Sequence, residues 1–303
     1  MGQGDKKTNL LIKVPRKIVS NLRNEVNRFI QYFHEVKLNL QNKYSRKQLD
    51  SKSDNIVVSV TCYPARISTL HLTLETIFNQ NLTPDVIHLW LSLEEFPNQV
   101  LPSQIVKLQE RGLKVTFVSE NIRSYKKLIY ALKAYPNSTI ITIDDDILYP
   151  KYWLREMINC HNKYPLDVLC YRGHDIILES EKKIIPYNRM INNISKYGHN
   201  SSYNIMPTGV SGVLYPPNSL HKEVFEISKF LKLAPHADDI WFKCCSLLNN
   251  VKCRRVKGEN VHFLTIRSTQ KDSLYNINVL LNRNDEQMKN LFDEYNLYDM
   301  IKN

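Results

Sequence analysis

The sequence predicts an α/β protein in which helices flank a mostly parallel sheet, with an amphipathic helix ahead of it. From Ile56 onward, short runs rich in apolar residues alternate with longer segments of helical pattern. The strand-like runs are apolar almost throughout, which is typical of parallel strands buried on both faces. We therefore expect a basic helical extension with a linker over 1–52, a sheet domain over 53–270 and a C-terminal helical segment over 271–303.

Four strand–helix units build this predicted sheet. The expected strands are Ile56–Thr61, Val86–Leu93, Lys114–Val118 and Ile140–Ile143. The expected helices lie near Ile67–Asn79, Val100–Arg111, Lys126–Tyr135 and Tyr149–Cys160. Sheets of this kind bind their ligands beyond the carboxyl ends of the strands. Tyr63, Glu94 and Asp144–Asp146 follow such strands, so the functional site is expected there.

The N-terminal extension carries one apolar stripe at helical spacing and most of the net charge. The stripe is Leu11, Val14, Ile18, Leu22, Val26, Phe29, Phe33, Val36 and Leu40. Residues 1–52 hold 12 Lys or Arg against 4 acidic residues, whereas the rest of the chain holds 29 against 26. This asymmetry indicates an anionic membrane surface as partner, with packing on the body or on a second copy as the alternative.

Nucleic acid is not expected as a partner of this extension, because no known binding motif is present. The polar residues 41–54 read as a linker.

Several classes of protein are excluded by the sequence. The six cysteines include no C-x-x-C pair, so we expect reduced thiols and no zinc ribbon. No glycine-rich phosphate loop follows any strand, which excludes a dinucleotide-binding or P-loop site. No apolar run approaches the roughly 20 residues that span a bilayer, and the N-terminus lacks the pattern of a secretory signal. The expectation is a cytoplasmic protein.

Three consecutive carboxylates, Asp144, Asp145 and Asp146, end the predicted fourth strand. Their mutual repulsion needs compensation, and hard oxygen ligands suit Mg²⁺ or Mn²⁺. The alternative is a solvated turn in which one aspartate caps the next helix.

Segments of the chain resemble, in order, the GT-A glycosyltransferases, in particular family-2-like enzymes of bacterial capsule and lipopolysaccharide synthesis. The matching segments are Ser59–Ile67, Asn121–Leu128, Thr142–Pro150, Thr208–Pro217, Ala237–Asp239 and Val261–Phe263. Asp238 departs from the family, which more often has Glu there. The resemblance implies a GT-A (Rossmann-like) fold and transfer of a sugar from a nucleotide-sugar donor, foremost a UDP-sugar, to a hydroxyl of a glycan or lipid-linked acceptor.

The resemblance also implies roles for single residues. Asp144, Asp146 and His262 would hold Mn²⁺ or Mg²⁺ on the donor diphosphate. Asp239, with Asp238 as second choice, would take the acceptor proton in an inverting hexosyl transfer. Donor-binding residues implied in this way are Thr61, Tyr63, Pro64, Arg66, Glu94, Lys126, Lys127, Asp144, Asp145, Gly209 and Gly212.

For some of these residues, a purely structural role is the alternative. The glycines could only shape turns, Asp238 and Asp239 could cap a helix, and His262 could be a hydrogen-bonded core residue. Tyr63 and Arg66 could be ordinary loop residues. At the level of function, the alternatives are a sugar nucleotidyltransferase and a non-catalytic adaptor for membrane or nucleic acid. A glycosyltransferase of this kind is also expected to contact the inner face of the plasma membrane through residues 1–52, or to form a homodimer.

Overall fold

A computed structural model describes residues 16–49, 55–272 and 283–301. Its first half alternates helices and strands where the sequence predicts them. These elements are α1 (Arg16–Tyr44), β1 (Ile56–Thr61), α2 (Leu70–Phe78), β2 (Val86–Ser92), α3 (Ser103–Glu110), β3 (Lys114–Val118), α4 (Lys126–Ala134) and β4 (Thr139–Thr142).

The second half has shorter strands. Its elements are β5 (Ile147–Leu148), α5 (Trp153–Lys163), β6 (Val168–Cys170), β7 (Gly173–Asp175), β8 (Leu178–Ser180), β9 (Lys183–Ile184), α6 (Tyr187–Asn192), β10 (Ile205–Pro207), β11 (Val213–Tyr215), α7 (Ile227–Leu233), α8 (Asp238–Leu248), β12 (Cys253–Arg255), β13 (Leu264–Thr265) and α9 (Arg283–Tyr295). Single 3₁₀ turns complete it at 123–125, 209–211, 222–225, 267–272 and 297–301.

Seven strands form one sheet in the order β12-β6-β11-β4-β1-β2-β3. All the pairs in this sheet are parallel except those of β11, which runs antiparallel to both β4 and β6. Val57 and Val58, adjacent in β1, belong to two different buried clusters. Because neighbouring residues of a strand point to opposite faces, the sheet is covered by apolar side chains on both sides. The predicted fold class, a mostly parallel sheet flanked by helices, is confirmed.

The topology brings three chain segments to one edge of the sheet. β1 and β4 are parallel neighbours, so the loops after Thr61 and Thr142 leave the sheet side by side. β11 runs the opposite way, with Val213 opposite Thr142, so the loop that precedes it arrives at the same edge. Residues from 61–66, 144–146 and 208–212 therefore lie close together.

Helix α1 contacts the body through a face that the predicted stripe does not include. Leu38 is buried beside Leu72 of α2, and the Asn42 side-chain amide donates to the Glu75 carboxylate at 3.2 Å. The stripe residues Phe29 and Phe33 are 64% and 54% exposed. Packing of this part of the stripe on the body is therefore contradicted, because the face that carries Leu38 and Asn42 makes the contact instead.

The first stripe residues, Leu11 and Val14, lie outside the described residues, and the structure does not describe the stripe's side chains before Phe29. The predicted linker begins later than expected, because α1 continues to Tyr44. No helix in the described ranges is long and apolar enough to cross a membrane.

Candidate functional site

The three aspartates leave β4 at this sheet edge, and their backbone is held in place by hydrogen bonds. The Asp144 amide donates to the Tyr149 hydroxyl at 3.1 Å, and the Thr73 hydroxyl donates to the Asp145 carbonyl at 3.0 Å. The next helix, α5, begins beyond them at Trp153 and has no side-chain cap. The hypothesis that an aspartate caps this helix is therefore wrong.

Arg66 binds two of the three carboxylates. One guanidinium nitrogen lies 2.7 Å from Asp145 Oδ1 and 3.1 Å from Asp146 Oδ2, and another donates to the Thr269 carbonyl at 3.3 Å. The guanidinium also lies over the Tyr63 ring, 5.6 Å from its centre. Burial opposes the charge of Arg66, but both carboxylates raise its pKa. Arg66 and Tyr63 thus belong to a cluster of contacting side chains and are not ordinary loop residues.

Lys127 binds the third carboxylate and links it to α8. Its ammonium lies 2.8 Å from Asp144 Oδ1 and 3.3 Å from Asp238 Oδ2, and its side chain is almost fully buried. Burial alone would lower the pKa of Lys127, but the charges of Asp144, Asp238 and Asp239 raise it well above its usual value. A permanent positive charge therefore stands between the two acidic segments.

Asp239 faces the glycine loop rather than the end of its own helix. Its two carboxylate oxygens accept from the Gly209 amide at 3.1 and 3.0 Å. Helix α8 starts after Ala237 and has no side-chain cap, so the capping hypothesis for Asp238 and Asp239 is wrong. Burial, and next the charge of Asp238, raise the pKa of Asp239 to about 7.

The two glycines of this loop have different reasons to lack a side chain. A Cβ on Gly209 would lie 3.0 Å from Lys127 Nζ and 3.2 Å from Asp144 Oδ1, so these side chains would have to shift to accommodate one. Gly212 has a φ of +90° and would place a Cβ 2.6 Å from Trp153. The turn hypothesis therefore accounts for Gly212, whereas Gly209 is favoured by the side chains that converge on it.

Lys126 and Glu94 stand away from these contacts. The Lys126 ammonium lies 2.9 Å from Glu95 Oε2 and donates to the Asn121 side chain at 2.8 Å. Glu94 itself is exposed. Of the two adjacent lysines, it is therefore Lys127 that meets the aspartates. The sequence analysis did not identify Glu95 as the partner of Lys126. The only sign of it in the sequence was its position beside Glu94 after β2.

Three further predicted residues lie at the border of the site. The Thr61 hydroxyl donates to the Trp90 carbonyl at 2.7 Å, and Pro64 is exposed. His262 is also exposed, which contradicts the core-histidine hypothesis. Burial and the charge of Arg172 lower its pKa. A metal-binding role for His262 stays a prediction.

The charges of the cluster suit a divalent cation. Five carboxylates, those of Asp144, Asp145, Asp146, Asp238 and Asp239, share two basic side chains, Arg66 and Lys127. Burial first, and next the charge of Asp144, raise the pKa of Asp146 to about 6, and a bound cation would favour its ionised form. The described residues contain no group of three or more His, Cys, Asp or Glu placed to hold a metal. Mg²⁺ is commonly held by one or two carboxylates together with substrate phosphates, and Asp144 and Asp146 fit that role.

No family model and no characterised protein sequence match the chain. Solved structures do show similarity. Residues 1–349 of TarS from S. aureus are 13% identical, with a TM-score of 0.40, over 69% of this chain and 59% of that one. The mannosyltransferase PcManGT from Pyrobaculum calidifontis, solved with GDP-Man and Mn²⁺, is 11% identical, with a TM-score of 0.48, over 89% of this chain and 76% of that one.

A synthetase is also among the similar structures. CMP:2-keto-3-deoxy-manno-octonic acid synthetase, solved with CTP, is 9% identical, with a TM-score of 0.39, over 77% of this chain and 100% of that one. The chain spans less than two thirds of the length of the TarS structures that it matches. The function of this chain is therefore inferred from its own residues.

Proposed function

We propose that this chain is a metal-dependent GT-A glycosyltransferase that moves a hexosyl group from a nucleotide-sugar donor, foremost a UDP-sugar, to a hydroxyl of a glycan or lipid-linked acceptor. The process served is the synthesis of a surface polysaccharide such as capsule or lipopolysaccharide. One observation carries the proposal: Lys127 joins Asp144, the expected diphosphate side, to Asp238, beside the candidate base Asp239. Donor and acceptor chemistry would thus meet at one point on the sheet edge.

The residues divide the reaction between them. Asp239 takes the proton of the acceptor hydroxyl while that oxygen attacks the sugar from the face opposite the diphosphate, which inverts the configuration. A base with a pKa of about 7 suits this step, because about half of it is ionised at neutral pH and the ionised form readily accepts a proton. Lys127 faces the negative charge that develops on the departing diphosphate. Tyr63 stacks on the nucleotide base, and Arg66 contacts base or phosphate.

Asp144 and Asp146 are the residues that would hold Mn²⁺ or Mg²⁺, with His262 as the third ligand implied by the resemblance. When bound, such a cation supplies Lewis-acid stabilisation of the leaving diphosphate. Asp145 stays paired with Arg66 and presents the ribose or donor sugar with an acceptor for hydrogen bonds.

The test is donor hydrolysis by the full chain with a panel of nucleotide sugars, in Mn²⁺ and in excess EDTA. We expect hydrolysis of one donor that requires Mn²⁺ and is lost in Asp146→Ala, with the fold retained. Equal activity in EDTA, or in Asp146→Ala, would contradict the metal site. Release of pyrophosphate from a nucleoside triphosphate and a sugar phosphate would instead indicate a nucleotidyltransferase.

The exposed face of α1 is proposed to lie on an anionic membrane that carries the acceptor. Phe29, Ile30, Tyr32 and Phe33 are each at least half exposed, on an extension that is rich in Lys and Arg. Each basic residue near an anionic surface contributes about 1 kcal/mol. The full chain should co-sediment with anionic liposomes at low salt and be released by several hundred millimolar salt. A homodimer without liposome binding would show that the face joins two copies instead.

A further inference from the structure

A second group of polar side chains lies beside the glycine loop, and the proposed mechanism does not use it. β7 and β10 pair antiparallel, and one step further the Thr208 amide donates to the Arg172 carbonyl at 3.0 Å. Thr208 is followed by Gly209, whose amide holds the candidate base. Arg172 directly precedes β7 and His174 lies within it, two residues on, so their side chains share a face of the strand.

The polar atoms of this group lack partners although they are buried. His174 is 2% exposed, and neither of its ring nitrogens has a hydrogen-bond partner. The same holds for Arg172 Nε. Within the described part of the chain, Arg172 forms no ion pair, and the nearby Asp175 is already bound by Arg255 at 2.6 Å. Buried polar groups are nearly always satisfied in folded proteins, so these atoms point to a ligand.

The local charge indicates what kind of ligand. Burial, and next the positive charge of Arg172, lower the pKa of His174 to about 3. His174 is therefore neutral, with one ring N–H free to donate, beside the positive charge of Arg172. A sugar hydroxyl would satisfy the histidine but leave the guanidinium charge uncompensated. A phosphate or carboxylate group satisfies both, and Arg is the side chain best suited to bind oxyanions.

We propose that Arg172 and His174 form a subsite for an anionic group, foremost a phosphate, carried by the acceptor. The Arg172 carbonyl accepts from the Thr208 amide, and the next amide, that of Gly209, holds Asp239, so the proposal sets the bound anion beside the candidate base. The acceptor is accordingly a phosphorylated or acidic glycan, or a glycan on a lipid phosphate, rather than a neutral sugar. Assignment of the anion to the acceptor rests on the proposed function; binding of the anion itself does not.

The first experiment measures binding of inorganic phosphate to the full chain by calorimetry, in EDTA so that no metal contributes. Arg172→Gln should weaken phosphate binding at least tenfold. The matched control is Arg189→Gln, which removes the same charge from an exposed arginine of α6 and should change affinity less than twofold. His174→Leu fills the same space without polar atoms, so it should fold as well as the parent and also weaken binding. Unchanged affinity in Arg172→Gln, or no phosphate binding by the parent chain, overturns the subsite.

The second experiment separates the acceptor from the donor diphosphate as the source of the anion. The phosphate titration is repeated with Mn²⁺ and a saturating amount of the nucleoside diphosphate released from the donor that the chain hydrolyses. Affinity within threefold of the first value supports an acceptor subsite. A tenfold loss shows that the diphosphate occupies Arg172 and overturns the acceptor assignment. If no donor is hydrolysed while phosphate still binds at Arg172, the proposed function fails and the subsite stands.

Discussion

The two halves of the candidate site neutralise their carboxylates in different ways. Around Arg66, one guanidinium reaches two carboxylates, Asp145 and Asp146, across the loops that leave the parallel neighbours β1 and β4. Around Lys127, one ammonium stands between Asp144 and Asp238. The first half joins the loops after β1 and β4, with one further contact to the Thr269 carbonyl, whereas the second joins α4, the end of β4, the loop before β11 and the start of α8.

The pairing of strands in the sheet positions most of the Arg66 half. The Lys127 half instead forms through packing between segments that are far apart in the sequence. The parallel pairing of β1 with β4 brings the loops that carry Arg66 and the aspartates to the same end of the sheet. The Lys127 half closes only when α8, more than a hundred residues further along the chain, docks against the glycine loop. It also carries the larger excess of negative charge, which contributes to the raised pKa of Asp239. Substitutions there should therefore affect catalysis most.

The largest effect is expected at the candidate base. Asp239→Asn keeps an oxygen that accepts from the Gly209 amide but removes the proton acceptor, so kcat should fall by about 10²–10⁴ with donor affinity little changed. The measurement is kcat and donor KM under saturating Mn²⁺. Asp238→Asn is the matched control and should lose less. A fall of tenfold or less in Asp239→Asn, equal to about 1.4 kcal/mol, would exclude an essential base.

The next effect distinguishes two adjacent lysines of α4. Lys127→Met removes the charge that faces Asp144 and Asp238, so kcat should drop roughly 10–100-fold through weaker stabilisation of the leaving diphosphate. Lys126→Met, which removes an equally buried ammonium that binds Glu95, should change kcat less than threefold. Circular dichroism checks that both variants fold. If the Lys126 variant loses more activity than the Lys127 variant, Lys127 is not the residue of the site.

A smaller effect is expected from adding one carbon at Gly209. In Gly209→Ala the new methyl would press on Lys127 and Asp144, which must shift by a few tenths of an ångström. Displacements on this scale at reacting groups should lower kcat about tenfold. Gly198→Ala is the comparison: nothing lies within 4 Å of a Cβ there, and its φ of +50° makes it a test of backbone strain without contact with the site. An activity loss of the same size in both variants would mean that the glycine loop does not shape the site.

The strands of the first half of the fold were predicted closely from the sequence, whereas the short strands of the second half were not predicted. β1 and β2 are long apolar runs between turns, so pattern alone located them within a residue. The strands β6, β7, β10, β11 and β12 have three residues each, too few to show a period. Insertion of β11 between β4 and β6 depends on pairing across more than forty residues, which no local pattern records.

The same distinction holds within the site. The repulsion among three consecutive carboxylates pointed to Asp144–Asp146, and the family resemblance pointed to Asp238 and Asp239. The choice between Lys126 and Lys127 depended on the docking of α4, and Arg172 with His174 matched no motif. In α1, the apolar stripe left membrane contact and packing on the body or on a second copy open. The helix contacts the body through Leu38 and Asn42 instead, and the Asn42 side chain also donates to the Gln104 carbonyl.

The smallest predicted effect concerns stability rather than rate, and its sign follows from the raised pKa of Asp239. A carboxyl group whose pKa is about 7 in the folded chain and about 4 in the unfolded chain favours folding fully at low pH. That contribution is lost as pH rises from about 4 through 7, because the buried group must then carry charge. Asp239→Asn removes the cost of ionising this buried group. In EDTA the variant should therefore melt at least as high as the parent at pH 5 and roughly 2–6 °C higher at pH 8, a gain of about 1–2 kcal/mol.

The control for this stability measurement is Asp293→Asn. Lys289 and Tyr298 donate hydrogen bonds to this exposed carboxylate and lower its pKa, so the melting temperature of the control at pH 8 should not rise. An Asp239 variant that melts below the parent at pH 8 would mean that the ionised carboxylate stabilises α8 or the glycine loop, and the base would have to be sought in Asp238.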